Sequence, residues 1–320
     1  SCTLPTLSLS LSRVAVCGGT HGNELSGVYL VRELVKVDKK AVEKKAEEEE
    51  PASVLMVLSN PRAIQQGQRY VDTDLNRCFT HAILNGPMLD TAPYEMIRSR
   101  ELNGMLGPKG SPEAVDLVCD LHNTTANMGL CLIAYSDCDW ICLHIFRHLQ
   151  VSIPLRYIHF DVSNKESYSL DSVGKHGFAM EIGAQPHSVV RSNIYTAMKL
   201  GVQHMLDWVR SFNSGTIKHL SPNECFCFAA VPLKNVSSLD RDFCLLHPGD
   251  PLFQTFSGET LTYKGHQPLY PFFINECAYY EKGIALSLAR RKRVMVPAIR
   301  VQTEQEQRAN EPRYTSEEEE

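Results

Sequence analysis

A histidine and a glutamate stand three residues apart in the glycine-rich stretch "VCGGTHGNELSG", residues 16–27. The stretch follows an apolar alternation over residues 13–17, so it lies at the end of a predicted strand. Glycines explain a tight turn at that point, but they give no reason for His21 and Glu24. A catalytic zinc ion takes imidazole nitrogen and carboxylate oxygen as ligands and keeps one position for water. We therefore predict that His21 and Glu24 are metal ligands, against the alternative of a helix-start pair or a surface hydrogen bond.

The third predicted ligand lies in "VCDLHNTTANMG", where His122 ends a buried-looking apolar run. Open α/β sheets bind their ligands at the carboxyl ends of the strands. Asp120 and Asn123 flank this histidine and are expected to orient its imidazole. The competing pair, His144 and His148, is spaced like metal ligands on one helix but lacks the glutamate of a HExxH motif. We interpret that pair as a solvated or partly buried helix face.

A hydrolase with a metal ion also needs a proton acceptor and groups that hold the substrate. Glu181 in "HGFAMEIGAQP" ends an apolar run, where burial would raise its pKa and suit it to act as a general base. The alternative is a strand-end glutamate that faces solvent. The stretch "QRYVDTDLNR" supplies Arg69, Asn76 and Arg77 without helical periodicity. A guanidinium can hold a carboxylate in a bidentate manner, and a second one can stabilise an oxyanion.

The elements that must position these residues alternate between strand and helix over the first two thirds of the chain. Short apolar runs predict strands over 13–17, 53–59, 114–121, 129–135, 155–160 and 177–182. Helical patterns lie between them at 24–37, 93–106, 140–150 and 193–212. This alternation predicts an α/β fold with a mixed, mostly parallel sheet flanked by helices. After residue 213 the chain changes to short strand-like pieces with glycine and proline turns, which predicts a smaller C-terminal β domain.

The predicted domains are therefore a catalytic domain over 10–212, a β-rich domain over 213–302 that caps the site, and an acidic tail over 303–320. The tail "TEQEQRANEPRYTSEEEE" has the composition of a disordered segment. The charged insertion 39–50, "KKAVEKKAEEEE", is expected to be a solvated loop or a frayed helix.

Composition excludes several classes of protein. The formal net charge of -5 gives no basic excess for nucleic acid, so we expect no nucleic-acid partner. No apolar run approaches the roughly 18 residues that a membrane-spanning helix needs. The eleven cysteines include no CxxC pair, and several lie in strand-like runs, which favours a reduced cytosolic compartment.

Six longer motifs together resemble one family, the aspartoacylases within the zinc carboxypeptidase-like deacylases. They read "GGTHGNELSGVYL", "NPRAI", "RYVDTDLNR", "PYEMIRSRELNGMLGPKG", "DLHNTTANMG" and "YPFFINECAYYEK". The resemblance implies one Zn²⁺ per subunit, a small-molecule N-acyl amino acid as substrate, and a homo-oligomer (dimer or tetramer). It also implies a cytoplasmic location with peripheral association at the apical plasma membrane.

The resemblance implies a role for each candidate residue. The metal ligands fall on His21, Glu24 and His122. The general base falls on Glu181 and the transition-state arginine on Arg69. The pair that holds the substrate α-carboxylate falls on Asn76 and Arg77, and a tyrosine that partly roofs the site falls on Tyr279.

One departure from the family decides the expected substrate. Aspartoacylase uses a tyrosine and an arginine to hold the second carboxylate of N-acetylaspartate. Here Asp171 takes the place of the arginine, and Ser167 takes that of the tyrosine unless the alignment shifts to Tyr168. A carboxylate would repel that second carboxylate, provided that Asp171 does not face solvent. The chain therefore resembles the aminoacylase-3 branch, which acts on N-acetylated aromatic amino acids and mercapturic acids (N-acetyl cysteine S-conjugates).

Two alternatives stay open. The first is aspartoacylase activity, the hydrolysis of N-acetylaspartate to acetate and aspartate. The second is a catalytically inactive ligand-binding or interaction protein, because residues 213–243 are shorter than in the family and a hairpin of the C-terminal domain is expected to be lost. His187 and Ser188 also replace the residues that the family has near the base.

Overall fold

The computed structural model describes residues 10–42, 52–136, 139–217, 223–231 and 242–296. The predicted tail 303–320 and most of the insertion 39–50 lie outside these ranges, as does part of the segment 213–243. The strands are β1 (Arg13–Gly18), β2 (Ser53–Leu58), β3 (Leu117–Asn123), β4 (Gly129–Ala134), β5 (Leu155–His159), β6 (His176–Gly183), β7 (Asn223–Val231), β8 (Pro251–Gln254), β9 (Thr260–Thr262), β10 (Tyr270–Phe272) and β11 (Ser287–Val296). The helices are α1 (Leu25–Val42), α2 (Pro61–Gln66), α3 (His81–Asn85), α4 (Tyr94–Leu106), α5 (Trp140–Ser152) and α6 (Ser192–Asn213), with 3₁₀ turns at Leu75–Arg77, Leu170–Val173 and Cys277–Lys282.

A nine-stranded sheet runs through the described part of the chain in the order β10-β11-β7-β5-β4-β6-β3-β1-β2. Strands β2, β1, β3 and β6 are parallel, and β4 runs antiparallel to β6 but parallel to β5. The predicted α/β class with a mixed, mostly parallel sheet is therefore confirmed. The C-terminal segment is β-rich as predicted, but its strands β7, β11 and β10 extend the central sheet, and β8 pairs with β9 separately. The domain boundary at residue 212 stays a prediction.

Every residue of β3 is buried, because helices cover both faces of the sheet. Leu117, Cys119 and Leu121 face a core shared with α1, α5 and α6, while Val118 faces a second core shared with α3 and α4. This explains why β3 reads as an apolar run that is interrupted by Asp120 and His122 and ends at Asn123.

The helix that carries the competing histidine pair is part of the core. His144 is fully buried, and its ring lies between Trp140 and Trp208, at centroid distances of 6.2 and 6.5 Å. The prediction of a solvated or partly buried face is therefore wrong for His144. His148 is exposed, and its ring centroid lies 6.0 Å from that of His204. Within the described ranges, no helix is long and apolar enough to cross a membrane.

Candidate active site

Three side chains converge at the carboxyl ends of β1 and β3. The His21 Nδ1 atom lies 2.7 Å from Glu24 Oε1 and 3.2 Å from His122 Nδ1, and the latter lies 2.9 Å from Glu24 Oε2. All three residues are buried. A Cβ atom on Gly22 would lie 2.1 Å from the carbonyl carbon of Ala63, so only glycine lets this turn pass α2 so closely. The structure thus brings together the three residues that were predicted as metal ligands.

Two further carboxylates hold the outer nitrogens of the two histidines. The His122 Nε2 atom lies 2.7 Å from Asp120, as expected, and the His21 Nε2 atom lies 3.0 Å from Asp74. Carboxylates in this position fix the orientation and tautomer of histidines that bind a metal. Asp74 was missed from the sequence, although it lies between two predicted substrate residues. The Asn123 side chain makes its hydrogen bonds elsewhere, with Oδ1 accepting from the Ser26 backbone N–H at 3.1 Å, while the backbone N–H of Asn123 donates to Glu24 Oε2 at 2.9 Å.

The charge pattern of this cluster fits a bound cation. When the Nε2–H group of each histidine donates to its aspartate, the Nδ1 atom of that ring carries a free electron pair that points into the cluster. The electron pairs of His21 and His122 then face each other and the Glu24 carboxylate. Burial alone would lower the pKa of His122, but the Asp120 and Glu24 carboxylates outweigh burial and raise this pKa well above its usual value. Protons or a metal ion must therefore lie between the three groups. Ligands about 2.0–2.1 Å from a tetrahedral zinc lie roughly 3.3 Å apart, so the observed separations of 2.7, 2.9 and 3.2 Å would have to widen by at most about 0.6 Å to take the ion.

Glu181 lies beside His122, because the parallel register of β3 and β6 pairs these two residues. Its carboxylate is buried, and Oε1 has no hydrogen-bond partner among the described residues. Burial raises the pKa of Glu181 to about 8, and the nearby Glu24 carboxylate adds to this. An unpaired, buried carboxylate that faces the cluster has the properties expected of a general base.

The loop after α2 and the 3₁₀ turn at Leu75–Arg77 bring the predicted substrate residues to the same place. Arg69 donates to Glu24 Oε1 at 3.0 Å and contacts Asp74 Oδ2 at 3.4 Å. The side-chain oxygen of Asn76 accepts from the backbone N–H of Leu170 at 3.0 Å. Burial would lower the pKa of Arg77, but Asp74 more than offsets this, so the guanidinium stays charged.

A pocket opens in front of these groups, and the small residue Ala179 of β6 contributes to its lining. Gly177 allows the turn at Leu170–Val173 to approach, since a Cβ atom there would lie 2.1 Å from the carbonyl oxygen of Asp171. The pocket is lined by charged and polar groups and by apolar and aromatic side chains: His21, Arg69, Asn76, Arg77, His122, Ile133, Ala134, Tyr135, Phe160, Tyr168, Ser169, Asp171, Ala179, Glu181, Phe273 and Tyr279. Every predicted site residue except Glu24 contributes to this lining.

The geometry of the pocket shows whether Asp171 faces solvent and which of Ser167 and Tyr168 lines the pocket. Asp171 is only 2% exposed and accepts a hydrogen bond from the Ser169 hydroxyl, so it does not face solvent. Burial raises the pKa of Asp171 to about 6. Tyr168, rather than Ser167, lines the pocket, and the Arg77 guanidinium carbon lies 4.6 Å from the centroid of its ring.

Tyr279 reaches the pocket from the C-terminal segment. Its ring packs against Phe273 at a centroid distance of 5.3 Å. The turn that carries it is held by Glu276, which accepts from the Thr125 backbone N–H at 2.8 Å. His187 lies 3.6 Å from Glu276 Oε1 and is not part of the pocket lining.

Comparison with known proteins places the chain in a family. Residues 10–209 match the model of the succinylglutamate desuccinylase/aspartoacylase catalytic domain, and residues 234–291 match the AstE/AspA barrel-sandwich hybrid domain. The chain is 51% identical over 309 residues to the N-acyl-aromatic-L-amino acid amidohydrolase (carboxylate-forming) B of Danio rerio, covering 92% of this chain and 97% of that protein.

Two further comparisons agree with this one. The human N-acyl-aromatic-L-amino acid amidohydrolase (carboxylate-forming) is 44% identical over 313 residues, which cover 93% of this chain and 96% of the human protein. The crystal structure of murine aminoacylase 3 is similar with a TM-score of 0.84 and 38% sequence identity, covering 92% of this chain and 99% of that one.

Proposed function

The chain belongs to the succinylglutamate desuccinylase/aspartoacylase family, and from this premise we propose that it is a zinc-dependent amidohydrolase that deacetylates N-acetylated aromatic amino acids and mercapturic acids. One observation carries this proposal: His21 and His122 of the three-residue cluster, the buried Glu181, and Asn76 and Arg77 all line one pocket, together with Asp171 and several apolar side chains. The relatives that are named for aromatic substrates support the same choice.

His21, Glu24 and His122 would hold one zinc ion per subunit. When bound, zinc would polarise the acetyl carbonyl and lower the pKa of water at the site. Arg69 lies against Glu24, so its guanidinium is placed to stabilise negative charge on the carbonyl oxygen as the tetrahedral intermediate forms.

Proton transfer is assigned to Glu181. Its Oε1 atom has no partner in the described structure, so it is free to accept the proton of the attacking water. The raised pKa lets the same carboxyl group return that proton to the leaving amine.

Asn76 and Arg77 are proposed to hold the α-carboxylate of the substrate, and Tyr279 to close the pocket over it. The Arg77 side chain contacts the ring of Tyr168, which limits its freedom before the substrate arrives. Arg77 would therefore be the cationic group that binds the α-carboxylate of the substrate.

The side chain of the substrate would lie toward Asp171. An aromatic or thioether group brings no charge there and would pack against Ile133 and Phe160. The side-chain carboxylate of N-acetylaspartate would instead approach a buried like charge. Aspartoacylase activity is the second candidate, because the family includes aspartoacylases.

A hydrolysis panel with measured zinc content tests the proposal. We expect about one zinc per chain and the highest kcat/KM for N-acetyltyrosine and S-benzyl-N-acetylcysteine, with N-acetylaspartate well below them. A preference for N-acetylaspartate would establish the second candidate. Zinc binding without turnover of any substrate would favour the inactive ligand-binding protein. The homo-oligomeric state and the cytoplasmic location with apical membrane association stay predictions.

A further inference from the structure

The carboxylate of Glu95, in the first turn of α4, is completely buried and fully hydrogen-bonded. Its Oε1 accepts from the Val71 backbone N–H at 2.6 Å and from the Asn60 side chain at 3.1 Å. Its Oε2 accepts from the backbone N–H groups of Asp72 at 3.0 Å and Thr73 at 3.1 Å. Three consecutive backbone N–H groups therefore surround one carboxylate, an arrangement that binds anions strongly. These three residues stand in the loop between Arg69 and the pair Asn76 and Arg77.

A charge of the opposite sign stands just beyond the other end of α4. The Lys109 ammonium group donates to the carbonyl oxygens of Phe79 and Ser167 at 2.9 and 2.6 Å. It also lies 2.8 Å from the hydroxyl oxygens of Ser167 and Ser172, so its three N–H groups are shared among four oxygen atoms. Burial lowers the pKa of Lys109 to about 8, so the group still carries its proton at neutral pH. The segment between Ser167 and Ser172 contains the pocket residues Tyr168 and Asp171.

The two loops also meet each other. The Phe79 backbone N–H donates to the Tyr168 carbonyl oxygen at 3.2 Å, and the Leu170 N–H donates to Asn76. Neither Glu95 nor Lys109 lines the pocket. Both residues bind backbone atoms of loops whose side chains line the pocket. Each can therefore set the position of substrate-binding side chains that it does not touch.

We propose that Glu95 and Lys109 are positioning residues for substrate recognition, one for each loop. Glu95 holds residues 71–73 and thereby sets where the following Asn76 and Arg77 meet the α-carboxylate. Lys109 holds residues 167–172 and thereby sets the part of the pocket that receives the substrate side chain. Glu95 stands in the first turn of α4, so the helix dipole favours its negative charge. The substrate assignments rest on the proposed function, whereas the inference that each residue fixes the position of its loop does not.

The test of Glu95 compares Glu95→Gln with Glu101→Gln, the same substitution at an exposed position of α4. Glutamine replaces one acceptor oxygen by an N–H₂ group, which cannot accept from the backbone N–H groups of residues 71–73. We expect amide hydrogen exchange at residues 71–73 to accelerate at least about 10-fold, with β3 unchanged. The kcat/KM for N-acetyltyrosine should fall by about 10–100-fold, mainly through KM, while that for N-acetyltyrosine amide falls much less.

The test of Lys109 compares Lys109→Met with Lys199→Met, a substitution of a partly exposed lysine on α6. Methionine keeps much of the length of the lysine side chain but donates no hydrogen bond. Exchange at Phe79 and Leu170 should accelerate in the first variant, and the preference for N-acetyltyrosine over N-acetylalanine should narrow. Zinc content should be unchanged in both.

Three results would overturn the proposal: unchanged exchange at residues 71–73 in Glu95→Gln, an equal loss of kcat/KM for the acid and the amide, or unchanged selectivity in Lys109→Met. If Glu95→Gln does not fold, Glu95→Asp carries the test, because it keeps the charge but is too short to reach all four donors. If the wild type hydrolyses no N-acetyltyrosine, the proposed function fails, whereas the exchange rates still decide whether the two residues hold the loops.

Discussion

Glu181 and His122 are register partners on the adjacent parallel strands β6 and β3. Their side chains therefore point to the same face of the sheet, and a carboxylate stands next to a predicted metal ligand. The two glutamates near His122 differ in their contacts. Glu24 contacts both histidines, as expected of a metal ligand, whereas Glu181 Oε1 has no partner in the described structure, as expected of a general base.

The first prediction follows for Glu181→Gln. The amide has the same size but cannot accept the proton of water, so kcat should fall by roughly 10²–10⁴. Zinc content, measured by elemental analysis, should stay near one per chain. Glu259→Gln, an exchange at an exposed position before β9, serves as the control and should leave kcat unchanged. Near-normal turnover of Glu181→Gln would assign the base to another residue, and loss of zinc would make Glu181 a ligand.

The second prediction concerns His122→Ala, which removes one of three predicted ligands. Both bound zinc and turnover should be lost, because two protein ligands rarely retain a catalytic zinc ion. His148→Ala, the same change at an exposed histidine of α5, should keep both. Full zinc occupancy in purified His122→Ala protein would show that the third ligand lies elsewhere.

The third prediction concerns the carboxylates that hold the outer nitrogens of the histidines. Asp74→Asn and Asp120→Asn keep a hydrogen-bond acceptor but remove the charge, so zinc affinity should fall by about 10–100-fold in each variant. Competition with a chelator measures this change, and the exposed Asp90→Asn is the control. If Asp74→Asn binds zinc like the wild type, Asp74 does not act on the zinc site through His21.

The fourth prediction concerns pH. In metal-free protein the Asp120 and Glu24 carboxylates raise the pKa of His122 well above its usual value, so His122 holds its proton strongly. Zinc must displace this proton; its affinity therefore rises with pH and falls as pH falls. Zinc occupancy after dialysis against a weak chelator should decrease between roughly pH 8 and pH 5. An occupancy that does not change over this range would contradict the assignment of His122 as a ligand.

The fifth prediction concerns Asp171, whose buried carboxylate should disfavour a second negative charge in the pocket. The wild type should prefer N-acetyltyrosine to N-acetylaspartate, and Asp171→Arg should narrow or reverse this ratio by improving hydrolysis of the aspartate derivative. One charged hydrogen bond corresponds to about 10–100-fold in kcat/KM. Asp171→Asn, which removes the charge at nearly constant volume, should give a smaller shift in the same direction. An unchanged ratio in both variants would remove the physical basis for the proposed specificity.

The elements of the catalytic region were predictable from the sequence because their apolar residues repeat with the period of a strand or a helix. The strand that carries His122 and the strand that carries Glu181 were both expected, and the structure contains them as β3 and β6. The clustering of the three possible metal ligands was predictable for a similar reason, since His21, Glu24 and His122 are polar residues that follow or end strands, where apolar packing does not explain them. The mixed, mostly parallel sheet follows from the alternation of these elements.

Local patterns did not reveal the residues that act across long loops. Asp74, Glu95 and Lys109 are charged residues in stretches where such residues usually face solvent, and only their buried hydrogen bonds give them a role. His144 is the opposite case. Its spacing from His148 is that of a metal-binding pair, but the structure makes it a core residue that packs against the rings of Trp140 and Trp208.

The sequence alone thus determined the class of the fold and the chemical types of the site residues, because periodicity and residue type are local properties. The tertiary structure decided that Glu181 stands beside His122, that Tyr168 rather than Ser167 lines the pocket, and that Asp171 is buried in it. Strand register and loop position depend on contacts between residues that are far apart in the chain, and a local pattern carries no information about such contacts.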